Sequence, residues 1–148
     1  MSVRIWFMIM NFLELFTIGL PFCAFKIVTG LFLGQYWLFT LGIVDLFINL
    51  TNAVSLLILK RRVFDACLLS FLTRLLKKPT QVVKAKWQDL GNSIDVLLSF
   101  SLVAYMIGGG FIKDLPMDYL SIWNISVILN VFGAGFGRLE ISIRNLKN

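Results

Sequence analysis

Residues 36–59 read YWLFTLGIVDLFINLTNAVSLLIL, twenty-four positions in which Asp45 is the only charged side chain. At about 1.5 Å per helical residue this run is long enough to cross a hydrocarbon core of about 30 Å. In lipid only a helix satisfies its own backbone donors and acceptors within one segment, so the run reads as a transmembrane helix. Inside it Gly42, Asp45, Asn49, Asn52 and Ser55 follow spacings of three and four, which places them in one polar stripe. Lipid cannot solvate such a stripe, so it must face other helices, water or a partner protein.

Three further apolar runs, about 5–25, 93–112 and 119–137, meet the same length requirement. The composition agrees. Of 148 residues 58% are hydrophobic and 15% charged, where a soluble domain carries about a quarter charged residues. The expected fold class is therefore all-α: one polytopic membrane domain, residues 1–148, with four transmembrane helices. The first span has only Arg4 ahead of its apolar run, is interrupted by Glu14 and lacks a small-residue cleavage site after it, so it is expected to be retained rather than removed as a leader.

Basic residues are distributed unevenly along the chain. The segment 60–91 carries Lys60, Arg61, Arg62, Arg74, Lys77, Lys78, Lys84 and Lys86. Arg4 and the tail residues Arg138, Arg144 and Lys147 share its side of a four-span topology, which leaves only Lys26 and Lys113 opposite. The positive-inside rule then predicts cytoplasmic termini and a cytoplasmic basic loop; a bacterial inner membrane is the expected location, with an organellar membrane the alternative. Trp6, Tyr36, Trp37, Tyr119 and Trp123 fall near predicted span ends, as interfacial anchors would. Lys26 is expected to snorkel to the outer interface.

Within the basic loop, residues from about 63 to 78 are too short to span and are bracketed by cations. Phe64, Leu68, Phe71, Leu72 and Leu75 recur at helical spacing ahead of Pro79. This predicts one in-plane amphipathic cytoplasmic helix, with Arg61, Arg62, Arg74, Lys77 and Lys78 set against anionic headgroups.

Catalytic chemistry is missing. There is no histidine, no phosphate loop and no nucleophile motif, and Cys23 and Cys67 lie in apolar runs without metal-ligand spacing. No catalytic residue, metal or cofactor is implied, and the cations are accounted for by membrane orientation rather than nucleic acid. The candidate functional residues are the intramembrane polar ones: Glu14, Asp45, Asn49, Asn52 and Asn130. Gly133 and Gly137 form a GxxxG packing motif. Estimated depths put Glu14 near the midplane, Asp45 toward the outside and Asp95 close to the inner interface.

Two functions follow from this reading. The first is a non-enzymatic accessory protein that binds another membrane protein, or itself, through the polar stripe, as an assembly subunit or an inhibitory, immunity or exclusion factor. The alternative is a small homo-oligomeric channel or a proton- or cation-coupled transporter that uses the intramembrane carboxylates.

Overall fold

In a computed structural model of the chain, residues 3–64, 67–75 and 81–145 are described, with side-chain surroundings for residues 6, 8–64, 67–72 and 90–136. The described residues are helical throughout apart from short turns and contain no strand. Helix α1 (Val3–Glu14) runs through a π-turn (Leu15–Gly19) into α2 (Leu20–Phe32). Helix α3 covers Tyr36–Leu59, a short α4 Leu68–Leu75, and α5 Gln81–Gly108; a 3-10 turn (Phe111–Asp114) leads to α6 (Met117–Asn145).

Four segments are long and apolar enough to cross a membrane: Met8–Phe32, Tyr36–Leu59, Leu90–Gly108 and Met117–Phe136. The second matches its sequence-predicted limits. The first continues past Phe25 to Phe32, because Lys26 does not end it. The third stops at Gly108, where Gly110 takes φ 72° and starts the 3-10 turn.

The π-turn has a local cause. Pro21 has no N–H to offer the carbonyl four residues earlier, and its ring crowds that turn. The helix widens directly before it, as helices do where the regular ladder is interrupted. Thr17 Oγ donates to the Leu13 carbonyl at 2.6 Å and is buried in this widened turn.

Helix α2 is central and packs on α3, α5 and α6. Its approach to α3 depends on glycine. A Cβ on Gly30 would lie 2.5 Å from the Phe39 backbone nitrogen, and one on Gly42 would lie 2.9 Å from both the Ile27 nitrogen and Lys26 Cβ. Gly133 does the same for α6, where a Cβ would meet Thr17 Oγ at 2.5 Å. Small residues at these points let backbones approach closely, the usual basis of helix association in lipid. Gly133 of the GxxxG motif therefore packs within the chain, while the surroundings of Gly137 lie outside the described side chains.

The two ends of the bundle differ in chemistry. Near the α2–α3 and α5–α6 connections, Phe22, Phe25, Val28, Met106, Leu115 and Trp123 form a buried apolar core. Trp123 is 2% exposed and packs on Phe25 with ring centroids 4.9 Å apart. It is a core residue, which corrects its expected place in the interfacial belt; Tyr36 and Trp37 are exposed at the start of α3 as anticipated. Opposite the polar stripe, Phe47, Leu50, Val54, Leu57 and Ile58 give α3 an exposed apolar face suited to lipid.

Replacing Gly30 with Ala should separate α2 from α3, since overpacking costs roughly 1–3 kcal/mol. A fall of several degrees in the detergent melting temperature is expected, while Gly135→Ala, which has open space around it, should leave the temperature unchanged.

Candidate functional site

All five members of the α3 stripe are buried: Gly42, Asp45, Asn49, Asn52 and Ser55. They face the rest of the chain. Asn49 donates from Nδ2 to the Asp45 carbonyl at 2.9 Å and toward Cys23 Sγ at 3.4 Å. Its Oδ1 lies against Gly19, where a side chain would collide with it, so the π-turn and the stripe fit directly together.

The centre of the site is a residue that sequence reading placed elsewhere. Lys26 does not snorkel to the outer interface: its side chain is 0% exposed and lies inside the bundle between two carboxylates. Its Nζ donates to Asp45 Oδ2 at 2.6 Å, and also to Asp95 Oδ1. The cause is electrostatic. Each carboxylate alone would be costly in a low-dielectric interior, and an ammonium ion from a neighbouring helix offsets that cost. Asp95 therefore meets Asp45 across one lysine instead of lying at a separate level near the inner interface.

Asp45 has a second role. Its Oδ1 accepts the backbone N–H of Leu68, the first residue of α4, at 2.7 Å. A carboxylate at a helix N-terminus satisfies an otherwise orphaned donor and complements the helix dipole. Asp45 lies fourteen residues before the end of α3, so α4 begins within the bundle. Its described residues are Leu68–Leu75, so it starts later than the expected residue 63, while residues 76–78 of the expected helix lie outside the described residues. Cys67 and Ser70 are buried beside Asn92 of α5, and Ser70 Oγ donates to Asn92 Oδ1. Burial pushes the Cys67 thiol up, with the Asp95 carboxylate adding to the shift.

The chain also doubles back after α3. Lys60 adopts φ 56°, ψ 26°, a left-handed turn that costs a non-glycine residue about 1–2 kcal/mol. Asn52 stabilises the returning backbone: its Oδ1 accepts N–H groups of Val63 and Phe64 at 3.2 and 2.9 Å, and its Nδ2 donates to the Phe64 carbonyl at 3.2 Å. Arg62 then reaches α1, donating from Nη2 to Glu14 Oε2 at 2.8 Å and to the Asn11 carbonyl at 3.1 Å.

Glu14 is accordingly not an isolated midplane carboxylate. Its side chain is 51% exposed and paired with Arg62. Between this pair and the Lys26 cluster lies a cavity of about 180 Å³, lined by both ion systems together with Gly19, Cys23, Asn49, Cys67 and Asn92. That volume has room for several water molecules; Leu15, Ile18, Phe22 and Val96 make much of its wall apolar, and the polar side chains set among them supply hydrogen-bond partners.

Of the sequence-predicted residues, Glu14, Asp45 and Asn49 line this cavity, and Asn52 braces its edge. Asn130 is buried on α6 outside the lining, and its Nδ2 has no partner among the described residues. Arg61 is exposed, whereas Arg62 is drawn into the site. The side chain of Arg74 and the whole of Lys77 and Lys78 lie outside the described residues. Sequence reading missed Lys26 and Asp95 as partners; the available signal was one lysine within an apolar run and one aspartate early in another. Among the described residues no cluster of three metal-ligating side chains occurs.

Comparison with protein-family models, curated proteins and solved structures gives no match. The class is thus set by the chain's own features: four helices able to cross a membrane, enclosing a buried ion cluster.

Replacing Lys26 with Met leaves two buried carboxylates without their cation and should cost about 3–5 kcal/mol. Asp95→Asn leaves Lys26 with one carboxylate and should cost clearly less. Thermal unfolding followed by tryptophan fluorescence checks the order, and equal stability of Lys26→Met and wild type would contradict it.

Proposed function

We propose that the chain is a non-enzymatic integral membrane protein that takes up a proton or small monovalent cation in its interior, as a channel or an ion-coupled transporter. One observation carries this reading: a single buried lysine sits between two buried carboxylates beside a cavity that both ion systems line. With all three groups ionised the cluster carries one surplus negative charge. An uncompensated charge is expensive away from water, so a proton or a univalent cation is the natural occupant. Lys26 has three ammonium hydrogens and described partners for two of them, which leaves a donor for exchange with the cavity.

The architecture supports the same conclusion. Ionisable residues within membrane spans mark ion and proton pathways by default. Interrupted helices with backbone ends near the site are a common means of building such pathways; here these are the π-turn and the buried start of α4. The expectation of a docking surface drew on small exposed mass and missing catalytic chemistry as well as on the α3 stripe. That stripe is directed into the chain itself, so this one ground for partner binding passes to the ion reading, and the exposed face of α3 is apolar. Charge bias between the loops supports a cytoplasmic position for the Arg62 end.

Reconstitution tests the proposal. In liposomes with an entrapped pH indicator, the wild type should dissipate an imposed proton gradient at least tenfold faster than protein-free vesicles. Asp95→Asn should reduce that rate to the lipid leak. Sodium or potassium gradients in parallel vesicles distinguish a cation from a proton. Rates equal to the lipid leak in all three gradients would overturn the ion reading.

A further inference from the structure

The apolar end and the polar end of the bundle close the cavity in different ways. Toward the connections, Phe22, Phe25, Met106 and Trp123 form a packed seal. Toward the loops, no such core is described at the mouth; Glu14 and Arg62 meet there, with side chains 51% and 22% exposed. We infer that the Glu14–Arg62 ion pair is a gate, a latch that closes the internal cavity at the loop end and opens when Arg62 swings away from α1. This rests on the ion-handling reading and adds the means by which access to that site is controlled.

Three features support a latch over a fixed strut. The pair is partly exposed, and an ion pair that is not enclosed contributes little to stability, so release is inexpensive. The guanidinium is incompletely satisfied when closed. Nη2 makes two contacts, but Nε is buried without an acceptor among the described residues, and a buried donor left unpaired favours departure. The backbone behind the arm is fixed independently, since Asn52 holds Val63 and Phe64 through three hydrogen bonds. Arg62 can therefore move as a side chain while its base stays anchored. Lys60, in its left-handed turn, directs the chain back so that the arm can reach α1.

The test uses the full chain in lipid nanodiscs, which expose both faces. The sequence has two cysteines, so Cys67→Ser leaves the cavity-lining Cys23 as the sole thiol. The probe is a small cationic methanethiosulfonate, and the readout is the rate of Cys23 modification by mass spectrometry. In this background, Arg62→Gln and Glu14→Gln should each raise the rate at least tenfold. Arg62→Lys, which retains a cation facing Glu14, should remain within about threefold of the background. Both substituted positions are partly exposed, so the variants should fold, and unchanged melting temperatures verify this.

Rates for Arg62→Gln and Glu14→Gln within twofold of the background would overturn the gate, as would a rate for Arg62→Lys equal to that for Arg62→Gln. The two proposals fail separately. Faster Cys23 labelling with no ion flux in wild-type vesicles keeps the gate and removes the ion reading. Flux with unchanged labelling does the reverse.

Discussion

An ammonium ion with no exposed surface, shared by carboxylates from two other helices, organises this molecule. Lys26 stands on the central helix, and its two partners stand on α3 and α5. Three segments distant in sequence are thereby registered at one level. In water such contacts would be nearly neutral in energy, because ions and solvent compete for the same charges. In a buried interior competitors are few, and removing the shared lysine leaves both carboxylates to bear the desolvation cost. The glycines of α2 and α3 belong to the same constraint, since Gly42 packs against Lys26 Cβ and sets how near the lysine comes to Asp45.

The cluster also determines the loop end of the bundle. Asp45 divides its two oxygens between Lys26 and the first amide of α4. A change of charge at the cluster is therefore felt by a helix terminus as well as by a side chain. Asn52, two turns along α3, performs a neutral version of the same task for Val63 and Phe64. The polar stripe thus serves as a ladder of attachment points for a chain that returns into the bundle. This explains why α3 carries more polar groups than helix–helix contact alone requires.

The arrangement joins an inflexible apolar end to a polar end held by a few directed bonds. Aromatic packing of Phe25 on Trp123 leaves little space for water. The opposite end contains a cavity, a widened helical turn and an arginine with an unmet donor. Mechanical work in membrane proteins is usually done where packing is incomplete and hydrogen bonds can be exchanged, because densely packed regions have no alternative arrangement of similar energy.

Much of the fold was legible in the residues themselves. The periodicity of Gly42, Asp45, Asn49, Asn52 and Ser55 correctly indicated one face turned from lipid, and the four apolar runs marked four spans. Both follow from local physics, in that a backbone in hydrocarbon must be helical and a polar stripe must be sheltered. The fate of Lys26 was not legible. A lysine near a span end has an inexpensive local solution, reaching for the interface, and only the positions of Asp45 and Asp95 on other helices make the buried alternative better. Glu14 and Arg62 stand 48 positions apart in sequence, and Trp123 could be assigned to a belt or a core with equal local justification. Sequence by itself determined what each segment must avoid; tertiary structure alone decided which charges meet, because pairing energy depends on distances between helices that no single segment encodes.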